Sequence, residues 1–276
     1  MKDSPLLLCA RLELLLTVRS RALQIFAAVF AGLSLAVAAS GYVLTGGSGV
    51  QDFARTAASL VQLILMLVPL VALVTGVLAL SPERGASELL FSQPVTRRSI
   101  LFGKLLGVFA ALSAAQLIGL GAAGLVIFWR SGGIGLSAYG FLILCSLLVT
   151  ALFLALAAFL ASRPGRRTRA LALALIVWFV SLVLFDIVAL GVASLLPSGI
   201  ASRLLILAQL VNPIGAIRTA ALLAVQGTTA FGSGALAFLR FTKGPLGAGA
   251  ALTLSMIAWL ALPLWGAVRR VSGADI

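Results

Sequence analysis

Histidine does not occur in this sequence, methionine occurs three times and cysteine twice. Transition-metal sites draw on imidazole and sulfur ligands. Here Cys9, Cys145, Met66 and Met256 stand singly on different stretches of chain, without ligand spacing. A metal path along the chain is therefore not expected, and neither is a disulfide framework. Acidic side chains are also scarce: seven Asp and Glu against 20 Lys and Arg, with charged residues at only 10% of the chain. A soluble domain carries about 25%, so this chain cannot wet the surface of a water-soluble globule. A phosphate-binding loop is missing too. Gly103-Lys104 is followed by leucines and has no glycine five residues before it, so nothing here cradles a nucleotide. A free-standing soluble enzyme is excluded.

What fills the sequence is apolar: 62% of the residues, with a mean hydropathy of +1.19. A bilayer-crossing helix needs about 20 such residues. Six runs qualify: Ala22–Leu44, Thr56–Leu80, Leu101–Trp129, Leu136–Ala161, Ala170–Ala193 and Leu246–Val268. The fold class is an all-α integral membrane protein, read as one permeating unit over residues 1–276. With the amino terminus in the cytoplasm, fourteen of the 20 basic residues fall on the inner side. The positive-inside bias then places both termini of this multi-pass protein in the cytoplasm. The same bias accounts for the net charge of +13. No basic stripe alternates with aromatics, and no nucleic-acid partner is expected. Ala36-Val37-Ala38 after residues 22–35 has the look of a signal-peptide cleavage site. The basic region before it is too long and the apolar run continues past it, so an uncleaved anchor is expected.

Two further segments refine this topology. Residues 1–21 precede the first span, and Pro5–Val18 mixes seven leucines with Arg11 and Glu13, the pattern of a helix lying in the membrane interface. Leu204–Val225 is apolar but contains Asn212-Pro213, which breaks a helix, and Arg218, which would cost about 2.5–3.5 kcal/mol at mid-bilayer. It is expected to form two short helices lying on or dipping into the outer leaflet, within an extracytoplasmic segment 194–245.

The cytoplasmic loop 81–100 carries the most specific pattern. Ser81 suits an N-cap and Pro82 the first helical position, while Pro94 discourages helix at Gln93. A helix of about ten residues follows, with Glu83, Arg84, Ser87 and Glu88 on one side and Ala86, Leu89 and Leu90 on the other. A basic cluster, Thr96-Arg97-Arg98, leads into Gly103-Lys104. Such a helix is either a solvated interfacial turn or a short lever gripped by another protein.

The pattern Glu83-x4-Glu88, Pro94-x-x-Arg97, Gly103-Lys104 between spans two and three resembles the cytoplasmic signature of ABC-2-type transporter permeases. Six spans, an interfacial first helix and re-entrant outer helices before the last span extend the resemblance over nearly the whole chain. Further stretches resemble the branch that serves nitrous oxide reductase maturation: Leu67-Val68-Pro69-Leu70, Gln93-Pro94-Val95, Trp178-Phe179 with Phe185-Asp186, and Asn212-Pro213 followed by Arg218. Gly215 departs from it, standing where a polar or acidic residue is expected. The resemblance implies a coupling role toward an ATPase for Glu83, Arg84, Glu88, Pro94, Arg97, Arg98 and Lys104. It implies contact with an outer partner for Asn212, Pro213 and Arg218. It also implies two copies of a cytoplasmic ABC ATPase that hold the ATP and Mg, a second copy of this permease, a periplasmic accessory protein and surrounding membrane lipids; the chain itself is expected to bind no cofactor.

Asp186 lies inside the fifth span, where a carboxylate is either functional or paired for structural reasons. The cargo would be a sulfur- or copper-related species, or the output mechanical work on a periplasmic partner; the ligand inventory argues against copper passing through the chain. Two rival readings stay open: an ABC-2-type exporter of a drug, lipid or polysaccharide, and an ATP-independent carrier or membrane scaffold.

Overall fold

The computed structural model describes residues 4–43, 49–81, 96–133, 135–163, 166–227 and 233–273. The described residues are helical, with no strand among them. In chain order they form α1 (Pro5–Arg19), α2 (Arg21–Val43), α3 (Gly49–Leu80), α4 (Arg97–Ser131) and α5 (Leu136–Ala161). These are followed by α6 (Arg167–Phe179), a π-helical stretch (Val180–Leu184) and α7 (Phe185–Ser194). The chain ends with α8 (Ser198–Val211), α9 (Pro213–Gln226), α10 (Ser233–Phe241) and α11 (Pro245–Gly273).

Among them, six helices are long and apolar enough to cross a bilayer: α2, α3, α4, α5, the continuous α6–π–α7 and α11. All six expected spans are found, with ends moved by a few residues. The third begins at Arg97 because Thr96 caps it, its Oγ1 accepting from Ser99 N at 3.4 Å. It ends where Gly132 takes a left-handed conformation, φ 64°, the usual helix stop. The short helix expected over Pro82–Gln93, with Glu83, Arg84, Glu88 and Pro94, lies outside the described residues.

α5 is apolar all round, which is the composition of a helix enclosed by others, and it packs against α3, α4, α9 and α11. Leu142, Leu152 and Phe153 on α5 are fully buried, as are Leu60 and Leu65 on α3 and Leu112 on α4. Three polar side chains in this core bond to one another between α4 and α5: Gln116 Nε2 donates to Thr150 Oγ1 at 2.7 Å, and Ser146 Oγ donates to Gln116 Oε1 at 2.5 Å. Span five is the opposite case. Few of its side chains are buried within the chain, and Ile176, Ile187 and Leu190 are more than half exposed.

α1 docks on α4. A Cβ on Gly103 would lie 2.6 Å from Cys9 Cβ, and one on Gly107 would lie 2.7 Å from Glu13 Cβ and 2.8 Å from Leu14 N. The Gly103-x3-Gly107 spacing is the small-residue pattern that lets two helix backbones approach. Leu7, Leu12 and Leu16 remain about 60% exposed, as suits a helix lying in the membrane interface.

Candidate functional site

The two expected helices between spans five and six are α8 and α9, bent by 101° at Asn212. They form a re-entrant hairpin, and α10 is a third short helix that the apolar pattern did not reveal. Asn212 closes the bend with both ends of its amide. Its Oδ1 accepts from Ile214 N at 3.2 Å, capping α9, and its Nδ2 donates to Ser181 O at 2.7 Å. Ser181 lies in the π-helical stretch, whose backbone departs from the i to i−4 ladder and leaves that carbonyl open to a side-chain donor.

The last carbonyls of α8 are satisfied from α11. Ser255 Oγ donates to Leu210 O at 2.5 Å and Trp259 Nε1 to Val211 O at 2.9 Å. Ser255 and Trp259 are four residues apart, on one face of their helix. In a bilayer each orphaned carbonyl costs several kcal/mol, so these donors make the break tolerable at depth. Ser255 lies ten residues into α11 and Ser181 thirteen residues before the end of α7. At 1.5 Å per residue the apex sits ~15–20 Å below the helix ends, near the middle of a ~30 Å hydrocarbon layer. Gly215 is explained here: a Cβ would lie 3.0 Å from Gln209 O and 2.7 Å from Gln209 Oε1. A methyl there would press on the Gln209 backbone.

Asp186 and Arg218, 32 residues apart, form an ion pair. Arg218 Nη1 donates to Asp186 Oδ2 at 2.6 Å, with the side chains 21% and 25% exposed. The contact is single-pronged, and Arg218 Nε is buried without a partner. Asp186, Asn212, Pro213 and Arg218 thus belong to one site that ties the hairpin to span five, while Ser255 and Trp259 tie it to α11. The far end of α9 is fastened to α3, Gln226 Nε2 donating to Ala54 O at 3.2 Å. Trp178 joins span five to α3 near the proline inside that helix: its Nε1 donates to Met66 O at 3.1 Å, three residues before Pro69.

A second cluster lies on the side of the bundle that bears both termini. Lys104 Nζ donates to Ala79 O at 2.8 Å, in the last turn of α3, where the helix dipole favours a cation. Glu13 from α1 stands beside it. Burial raises the Glu13 carboxyl above its ordinary value, and the charge on Lys104 opposes that rise. Lys104 therefore bonds α4 to α3, with its charge beside Glu13 of α1, at the helix ends that the segment 82–95 joins. Arg97 and Arg98 start α4 at the same end, Arg98 exposed. Among the described residues no three of His, Cys, Asp and Glu gather as a metal site.

The sequence matches the family described as ABC-2 family transporter protein over residues 7–275. It is 35% identical over 262 residues to the probable ABC transporter permease protein NosY of Pseudomonas aeruginosa, covering 93% of this chain and 91% of that protein. It is 33% identical over 263 residues to the probable ABC transporter permease protein NosY of Stutzerimonas stutzeri, with the same coverage of both chains. A helical membrane bundle with an interfacial first helix and a re-entrant hairpin before its last span, matched along its length in this way, belongs to the ABC-2 transporter permease family.

Proposed function

We propose that this permease works in nitrous oxide reductase maturation, carrying work from a cytoplasmic ATPase to a periplasmic partner or moving a sulfur-containing species. The observation that carries the reading is the clamped hairpin. Its apex, near mid-bilayer, is bonded to span five through Ser181 and Asp186 and to the last span through Ser255 and Trp259. A tilt of either span is passed to the outer segment rather than absorbed. The driving end is the loop 82–95, with Glu83, Arg84, Glu88 and Pro94 seated against the ATPase and Arg97 and Arg98 beside them. Lys104 bonds α4 to α3 at that end. The largely unburied span five is the face on which a second copy of the permease packs, giving two permeases and two ATPases with both termini cytoplasmic. With no imidazole in the chain and its sulfur atoms scattered, copper is handled by the partner and not by this chain.

The test is the double variant Glu83→Ala, Glu88→Ala in the assembled transporter. It is expected to insert and assemble normally, to hydrolyse ATP, and to leave nitrous oxide reductase without its copper sites. Normal maturation by this variant, at normal expression, would overturn the lever. Mass-spectrometric identification of proteins bound in mild detergent decides the partner: an ATPase with a periplasmic copper-handling protein supports the reading, and an ATPase with neither such a protein nor a maturation defect refutes it.

A further inference from the structure

A cleft of about 240 Å³ opens between α4, α5 and α11 on the terminus-bearing half of the bundle. Its walls are entirely apolar: Phe102 and Leu106 from α4, Ala151 and Ala155 from α5, and Leu260 and Leu264 from α11 among them. The lining extends from residue 102 to 109 of α4, about 10 Å along the helix, against ~15 Å for one leaflet's hydrocarbon. A space with no polar partner does not hold water, and it is too narrow for another helix, about 10 Å across. Beyond its end the contact of Leu101, Ala158 and Ala267 closes the bundle.

The rim toward the membrane surface is cationic. Arg98 stands four residues before Phe102, one turn further out on the same face. Phe159 stands one turn beyond Ala155, and its ring carries two guanidinium groups: Arg270 at 4.3 Å and Arg163 at 5.3 Å from the centroid. All three arginines are exposed, and no carboxylate among the described residues pairs with any of them. Stacking holds two of these charges in place without neutralising them.

We propose that this cleft binds one anionic phospholipid, an acyl chain between α4, α5 and α11 and the phosphate among Arg98, Arg163 and Arg270. The lipid wedges the three helices apart where the cytoplasmic loop joins α4. The site does not depend on which cargo the transporter serves.

The experiment is native mass spectrometry of the whole transporter released from nanodiscs containing equal phosphatidylglycerol and phosphatidylcholine. One phosphatidylglycerol retained per permease is expected. Leu106→Trp and Leu264→Trp, at the cleft's lips, fill it and abolish retention of either lipid. Ile118→Trp, on an open lipid-facing surface 67% exposed, leaves retention intact. The variants Arg98→Gln and Arg270→Gln keep a lipid but each lowers the preference for phosphatidylglycerol about fivefold. Equal retention of the two lipids by the unaltered transporter overturns the proposal, and so does full retention in Leu106→Trp, which decides the matter if Leu264→Trp does not assemble.

Discussion

Removing Arg218 alone, as Arg218→Met, leaves Asp186 as an unpaired carboxylate inside the membrane. Two unit charges about 4 Å apart attract by ~4 kcal/mol at an effective dielectric constant of 20. The side chains retain 21% and 25% exposure, which lowers that figure to roughly 2–3 kcal/mol. An intramembrane charge without a partner costs about 2.5–3.5 kcal/mol, so two independent routes agree. Asp186→Leu is expected to cost the same, because it strands Arg218. The double variant Asp186→Leu, Arg218→Met strands neither charge and should lose less than ~1 kcal/mol, giving a coupling energy of at least ~2 kcal/mol in a double-mutant cycle. Unfolding of the transporter in nanodiscs, followed by denaturant titration, measures all four species. The functional readout is separate: with the hairpin released from span five, ATP hydrolysis persists while the transporter's output falls. If the two single losses simply add in the double variant, the ion pair is not what fastens the hairpin, and the reasoning fails.

Three other outcomes follow from the same contacts. Gly103→Val forces α1 off α4 at a cost of about 1–3 kcal/mol, read directly as faster maleimide labelling of the neighbouring Cys9; unchanged labelling refutes the docking. Gly215→Ala drives a methyl into Gln209 and should destabilise the chain by about 1–3 kcal/mol, whereas Gly249→Ala, where nothing lies within 4 Å, should be neutral or slightly stabilising; equal effects in a thermal melt would contradict the tight bend. Glu13 has a raised folded-state pKa, so its contribution to stability is present below the ordinary carboxylate pKa and is lost as pH rises through the folded value. Glu13→Gln should therefore melt up to ~3 °C higher than the unaltered chain at pH 8, with the gap closing as pH falls into the carboxylate range; a gap that widens on acidification reverses the sign and the argument.

The spans were legible because 20-residue apolar runs separated by arginines leave few alternatives, and their ends shifted only where a cap such as Thr96 or Gly132 set them. Asp186, Asn212, Pro213 and Arg218 stood out as costly or helix-breaking residues inside apolar sequence. Their convergence did not, because pairing across 32 residues depends on how deep the hairpin descends. Ser255 and Trp259 gave no signal: a serine and a tryptophan in a span are ordinary lipid-phase residues until a broken helix presents its carbonyls to them. Gly215 read as a departure from the family pattern and proves to stand where the bend brings the Gln209 backbone close. Gly103 and Gly107 did leave a trace, a small-x3-small spacing, and it marks the seat of α1. Lys104, read as part of the coupling signature, is bonded inside the bundle and reaches α3, which a loop motif does not reveal.

The π-helical stretch in span five has a consequence for chain length. In a regular α-helix one residue more or fewer changes the phase of everything after it by about 100°, and a π-turn is the winding that absorbs such a residue. Val180–Leu184 winds five residues where four would make a regular turn, Phe185 N donating to Val180 O, so losing one residue there restores regular winding and leaves Asp186 facing Arg218, whereas losing one anywhere between Phe185 and Arg218 has no such slack to draw on. Composition alone therefore does not specify this helix: its residue count is part of the design, and a deletion in its regular turns, silent to hydropathy, would rotate Asp186 and the hairpin out of register while one in the π-helical stretch would not.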